Sequence, residues 1–163
     1  MKKRSAGFIV YRKKNNFIEI LLVHPGGPFY KNKDKGFWDI PKGEFKENES
    51  PLQAALREFE EETGLKFSSN DLEKIKFFES FTRKSDKKTI YFFVIEKDFG
   101  DNLIPQSNLI EIEFPHKSKN FIKIPEVDKM SYFNLEEAKE KVFPWLKEPL
   151  EKFEKFIYQT SSD

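Results

Sequence analysis

The chain has 163 residues, a length that suits one domain with a substantial core, and its formal charge of +1 gives no overall electrostatic case for binding nucleic acid or an anionic membrane. It contains no cysteine, which excludes a disulfide framework and a thiolate metal site, and its two histidines are too few for a His-rich zinc centre. Phenylalanine occurs 19 times, so aromatic packing is expected to dominate the core.

No apolar run approaches the roughly 20 residues that a membrane span needs. The N-terminal MKKRSAGFIVYRKK is too short in its apolar part for a secretory signal. A cytoplasmic protein is the simplest expectation. In chain order, Ser5–Arg12 and Phe17–His24 read as two strands, with alternation clearest in Ile18-Glu19-Ile20-Leu21. Pro25-Gly26-Gly27-Pro28 signals a loop, which continues through the lysine-rich stretch 31–36. Phe37–Ile40 reads as a short strand, and a helix follows from Pro51. Lys74–Thr82 and Thr89–Glu96 read as a hairpin across Arg83–Lys88. Leu109–Phe114 alternates apolar and acidic residues, and Lys129–Phe133 is a further short strand. Asn134 is expected to cap a helix, with Glu137 as its capping-box partner. A last amphipathic segment carries Leu150, Phe153, Phe156 and Ile157, and Pro149 starts or kinks it. There is no internal repeat and no linker, so residues 1–163 are expected to form a single mixed α and β domain.

Segment 43–65, GEFKENESPLQAALREFEEETGL, carries the chemistry. Ser50 is an N-cap candidate, Pro51 fits the first helical position, Gln53 completes a capping box and Gly64 suits the residue past the helix end. Glu58, Glu61 and Glu62 lie at i, i+3 and i+4, where like charges cost roughly 0.2–0.5 kcal/mol per pair. Two of them sit at the helix C-terminus, where the macrodipole favours cations. The apolar stripe of Leu52, Ala55, Leu56 and Phe59 is centred roughly 110° from the glutamate face. A solvated acidic face is the bland alternative for a bare glutamate run. A divalent cation would remove both penalties, and broken local rules mark functional sites.

Gly43, Glu49, Arg57-Glu58-Phe59, Glu61-Glu62 and Gly64-Leu65, preceded by Trp38-Asp39-Ile40-Pro41-Lys42, match the Nudix box at every specified position. On these residues the chain resembles the Nudix hydrolase family. The resemblance implies an α/β/α sandwich on a mixed β-sheet, and hydrolysis of a nucleoside diphosphate linked to another moiety by water attack on phosphorus. It implies Mg²⁺ or Mn²⁺ held by Glu58, Glu61 and Glu62 together with the Lys42 carbonyl. Arg57 is then expected to orient a neighbouring glutamate, and Glu49 to support the loop–helix junction. The general base is either a box glutamate such as Glu58 or Glu126 on a later loop. Glu111 and Glu113 compete with Glu126, although each suits the solvent face of an alternating strand.

The segments around Arg4–Gly7, Trp38–Gly43, Lys88–Asp98 and Glu126–Ala138 look similar to diadenosine tetraphosphate hydrolases within that family. That similarity makes Tyr91 a base-stacking candidate, against the alternative of a half-buried sheet aromatic. Arg83 and the lysines at 31, 33 and 35 are candidates for phosphate contact, with solvated loops as the alternative. His24 is more simply a strand-end histidine satisfied by the backbone. A small nucleotide is the expected partner, with dinucleoside polyphosphates ahead of nucleoside triphosphates. RNA 5′ ends are an alternative that no long basic stripe supports, and DNA is not expected. A non-catalytic nucleotide sensor is the reading from another class, disfavoured because the box glutamates are all present. Oligomeric state is open at the level of sequence.

Overall fold

A computed structural model describes residues 3–161 of the chain. Its elements in order are β1 (Arg4–Lys14), β2 (Phe17–Pro25), β3 (Lys42–Glu44), α1 (Pro51–Thr63), α2 (Ser69–Leu72), β4 (Lys76–Thr82), β5 (Thr89–Glu96), β6 (Leu109–Glu113), β7 (Phe121–Pro125), β8 (Val127–Asn134), α3 (Leu135–Lys141) and α4 (Lys147–Ser161). A 3₁₀ turn over Pro144–Leu146 leads into α4.

Six strands form a mixed sheet in the order β4-β5-β1-β2-β8, with β3 also paired to β1. The β1–β5 pair is parallel, whereas β1–β2, β1–β3, β2–β8 and β4–β5 are antiparallel. Asn15 and Asn16, at φ 52° and 68°, make the tight turn between β1 and β2. Along the same edge, β1 pairs with β2 only from Tyr11 to Lys14, and with β3 only from Ser5 to Gly7. The sheet is therefore split, and residues 39–44 fill the gap. Phe8 N–H donates to the Pro41 carbonyl at 3.1 Å, and Val23 and Asp39 exchange backbone bonds at 2.8 and 2.9 Å.

Helices cover both faces. Ala6, Phe8 and Val10 of β1 pack with Ala54, Ala55 and Phe59 of α1. Ile9, Phe92 and Val94 pack on the other face with Leu146, Leu150, Phe153 and Ile157. Aliphatic residues outnumber aromatic ones among the buried core residues, and the phenylalanines are the largest of those fully buried: Phe8 meets Phe59 edge-on at 5.8 Å, Phe59 stacks on Phe67 at 4.5 Å, and on the other face Phe153 meets Tyr11 at 5.3 Å.

The α/β/α sandwich is the one the family resemblance implies, and most elements follow the sequence pattern, with several differences. Trp38 and Asp39 make isolated bridges to different partners, Val142 and Val23, so 37–40 crosses between elements instead of running along one strand. The strand of this region is β3, further on. The helical turn α2 and the strand β7 are additions to the elements that the sequence pattern marks. The β7 strand pairs with β6 as a separate two-stranded sheet. Ser50 forms a full capping box with Gln53, whereas Asn134 caps Glu137 N–H without the reciprocal bond. Pro149 is the third residue of α4 and sits within its first turn, where a missing N–H costs no helical bond.

Phe8 is fully buried among three aromatic rings, Phe59, Phe67 and Phe93. Phe8→Ala should destabilise the fold by about 3–5 kcal/mol, read as a lower urea midpoint at unchanged slope.

Candidate metal and phosphate site

The helix α1 turns Glu58 and Glu62 inward. Its buried residues are Ala54, Ala55, Glu58, Phe59, Glu62 and Thr63, so the two glutamates continue the core-facing side and do not occupy a separate solvated face. They face the split in the sheet, where Gly43 leaves room for a carboxylate. A Cβ built on Gly43 would collide with the Glu58 carboxyl group, so a larger residue here would displace that carboxylate from its place.

Glu126 reaches the same place from another direction. It is the single residue between β7 and β8. Its N–H donates to the Asn108 carbonyl at 3.0 Å, and its carbonyl accepts from Gly26 N–H at 2.9 Å. The segment that holds it also closes the end of α1, since Gln106 and Asn108 N–H donate to the Thr63 and Glu61 carbonyls at 3.1 and 2.7 Å. Those are orphan carbonyls of the last helical turn. Glu58, Glu62 and Glu126 consequently bring one carboxylate oxygen each to within 4.8 Å of one another. A cavity of about 160 Å³ opens on Glu62 and Glu126, lined also by Val23, Asp39, Ile40 and Lys42.

Arg57 organises the rim. Its guanidinium grips both oxygens of Glu49 at 2.7 and 2.9 Å, donates to Glu58 at 2.8 Å and Glu61 at 3.1 Å, and reaches the Glu44 carbonyl at 2.9 Å. This grip holds the Glu49 carboxyl down to about 2. Glu61 lies outside this trio, 3.1 Å from Arg57 and 3.9 Å from Lys46. The carboxylates that converge are thus Glu58, Glu62 and Glu126, and not the three glutamates of the helix.

Burial pushes Glu62 well above the ordinary carboxylate range, and the charges of Glu126, Asp39 and Glu58 push in the same direction. Burial also raises Glu58, against the opposing pull of Arg57. Glu62 accepts one long backbone bond, from Lys42 N–H at 3.3 Å. An all-oxygen, crowded and partly desolvated set of this kind fits a hard divalent cation.

The remaining candidates divide. Lys42 lines the cavity, with Nζ 3.4 Å from Asp39. Arg83 is tied to Asp86 at 3.0 and 2.6 Å and lies over the Trp145 ring. Tyr91 packs between Phe45 and Phe77 at 5.7 and 6.4 Å, the arrangement of a sheet aromatic. His24 is buried with both ring nitrogens engaged, Nδ1 with Asp128 at 2.8 Å and Nε2 with the Lys33 carbonyl at 2.6 Å. Glu111 and Glu113 lie on β6, paired with β7. Asp39 and Trp145 were not singled out from sequence. An aspartate inside the apolar run before Pro41 was the available signal for the first, and nothing local marked the second.

A family model described as the NUDIX domain matches residues 1–153. The chain is 37% identical over 114 residues to the mRNA-decapping protein g5R of African swine fever virus (isolate Pig/Kenya/KEN-50/1950), covering 64% of this chain and 42% of that protein. It therefore spans less than half the length of that viral relative. It is 30% identical over 112 residues to the asymmetrical bis(5′-nucleosyl)-tetraphosphatase of Sus scrofa, covering 61% and 69% of the two chains. The crystal structure of a C. elegans Ap4A hydrolase binary complex superposes with a TM-score of 0.65 at 21% identity, covering 96% of this chain and 98% of that one.

A carboxylate whose folded-state pKa is raised binds its proton more readily in the folded than in the unfolded chain. Folding stability then falls as pH rises from the unfolded value, about 4.3, towards the folded one. In chelator, Glu62→Gln should raise Tm at pH 8 and give no gain at about pH 4. A Tm difference that is constant across this range in thermal melts would contradict the burial and repulsion described for Glu62.

Proposed function

The chain belongs to the Nudix family, and from that membership we propose that it is a Mg²⁺-dependent pyrophosphohydrolase acting on a nucleoside diphosphate linked to another moiety. The observation that carries this reading is the convergence of Glu58, Glu62 and Glu126 within 4.8 Å, the last two lining a cavity. Mg²⁺ is the favoured ion and Mn²⁺ an equivalent one, held by Glu58 and Glu62 with help from the Lys42 carbonyl and from Glu61 at the rim. When bound, the ion supplies charge neutralisation for the pyrophosphate and a lowered pKa for the attacking water.

The chain's own residues do the rest. Arg57 fixes Glu58 and Glu49 so that the box loop and the helix keep one geometry. Glu126 accepts the proton of the attacking water, on a backbone pinned at both its N–H and its carbonyl. Lys42 and Arg83 meet the substrate's phosphates. Tyr91 is a weaker candidate for base contact, because its ring is engaged by two phenylalanines.

For substrate, we infer a dinucleoside polyphosphate such as diadenosine tetraphosphate. The 30% identity to a tetraphosphatase over 69% of that protein's length supports it. A second reading, action on RNA 5′ ends, is favoured by the 37% identity to a viral decapping protein. Among the described residues no helix is long and apolar enough to cross a membrane. A cytoplasmic setting fits a nucleotide substrate and a chain without cysteine.

The test is product detection on diadenosine tetraphosphate, nucleoside triphosphates, ADP-ribose and capped or triphosphorylated RNA, with Mg²⁺ and with chelator. Chelator-sensitive cleavage of the dinucleotide to ATP and AMP is expected, and preferential cleavage of RNA would establish the second reading. Glu58→Gln and Glu62→Gln should each lower kcat by about 10²-fold or more, since each removes a charged ligand. Glu126→Gln should lower kcat with little change in metal affinity, whereas lost metal binding would make Glu126 a ligand.

A further inference from the structure

Beside the carboxylate cluster, on the face of the sheet covered by α3 and α4, lies a second charged assembly. Lys42 Nζ sits 5.6 Å from the centre of the Trp145 ring, and the Arg83 guanidinium carbon 4.9 Å from the same centre. Phe81 stacks on Trp145 at 6.3 Å, and Phe92 lies at 6.4 Å. The 3₁₀ turn before α4 presents the indole, and the Leu146 N–H to Phe143 carbonyl bond at 2.9 Å closes that turn.

Both cations are largely withdrawn from water, with side-chain exposures of 15% for Lys42 and 16% for Arg83. Neither spends its donors fully. Lys42 Nζ meets a single carboxylate, Asp39, at 3.4 Å. Arg83 gives Nε and Nη2 to Asp86 and leaves Nη1 without an acceptor among the described residues. The Trp145 indole N–H likewise meets no acceptor among them. Each cation thus has one carboxylate partner and keeps donors that a further anion can take. A flat aromatic ring can hold two cationic groups at short range by attraction to its π-face.

Lys42 joins this assembly to the glutamates. Its N–H donates to Glu62 at 3.3 Å while its ammonium group stands over Trp145. A phosphate at the carboxylate cluster would therefore have Lys42 as its neighbour, with Arg83 one step further along the chain of phosphates. We propose that Trp145 is a positioning residue that holds Lys42 and Arg83 as an anion subsite for the phosphates beyond the one at the glutamates. The subsite selects substrates with three or more consecutive phosphates over diphosphate-linked nucleotides. This rests on the pyrophosphohydrolase reading for its orientation, and the experiment separates the two.

Isothermal titration of the chelator-treated protein with inorganic tripolyphosphate reads the subsite without turnover. Arg83→Gln should weaken binding about tenfold or more, the scale of a charge-assisted hydrogen bond. Trp145→Leu should weaken it to a similar degree, and Trp145→Phe should restore binding to within about threefold, because the aromatic face returns. In kinetics with Mg²⁺, Trp145→Leu should raise KM for diadenosine tetraphosphate several-fold while leaving KM for ADP-ribose near the wild-type value. Circular dichroism and Tm identify any variant that fails to fold, and Arg83→Gln, at the hairpin between β4 and β5, provides the measurement if Trp145→Leu does not. Tripolyphosphate affinity unchanged in Arg83→Gln and in folded Trp145→Leu overturns the subsite. Equal losses on both nucleotides overturn the selection by chain length. Arg83- and Trp145-dependent tripolyphosphate binding in a protein that cleaves no nucleotide would leave the subsite standing and sink the hydrolase reading.

Discussion

Three carboxylates held within 4.8 Å of one another, with part of their surface taken from water, repel strongly, and the surrounding structure is organised to keep them there. Left to itself, a helix would turn such residues to solvent, where screening makes repulsion cheap. Here α1 keeps Glu58 and Glu62 on its core-facing side with Ala54, Ala55 and Phe59. The rigidity that resists the repulsion comes from the aromatic packing of Phe8, Phe59 and Phe67 beneath the helix. It comes also from Arg57, which ties the helix to Glu49 and the Glu44 carbonyl on the incoming loop. Raised proton affinity at Glu58 and Glu62 is the electrostatic record of this arrangement.

The sheet makes the place for the cluster by dividing. Because β1 pairs with β2 at one end and β3 at the other, a gap opens along one edge. The stretch 38–44 enters that gap as backbone, bonded to Phe8 and Val23. It delivers Lys42 and Gly43 to the glutamates and Asp39 to the cavity wall. The separate β6–β7 hairpin has a related consequence, since its end sets Glu126 opposite α1. The loop that precedes it satisfies the carbonyls at the end of α1, so the positions of Glu126 and of the helix are mechanically linked.

The charged groups sort themselves by function and not by net balance. Arg57 faces the rim carboxylates, while Lys42 and Arg83 gather over Trp145 on the other side of the cluster. A chain with a formal charge of +1 thus presents adjoining acidic and basic surfaces, the pairing needed to hold a cation and a polyphosphate at once. Family membership and site geometry agree on the class of chemistry, and the proposed subsite at Lys42 and Arg83 would bear on which substrate within that class is taken.

The sequence by itself determined the helix α1, because its caps, its proline and its glycine are local signals that tertiary contacts reinforce. It determined the β1–β2 and β4–β5 hairpins through alternation and turn residues, and the family through the spacing of the box. It also marked Glu58, Glu62 and Glu126, although the first two stood in a trio with Glu61. Only the tertiary structure decided which of these carboxylates meet. Helical spacing alone leaves Glu61 and Glu62 equivalent, and it is the orientation of α1 against the sheet that buries Glu62 with Glu58 and leaves Glu61 at the rim. The β7 strand, the crossing path of 37–40 and the convergence of Lys42, Arg83 and Trp145 lay beyond sequence reading for a common reason. Each depends on residues distant in the chain meeting across the sheet, and no local periodicity records such a meeting.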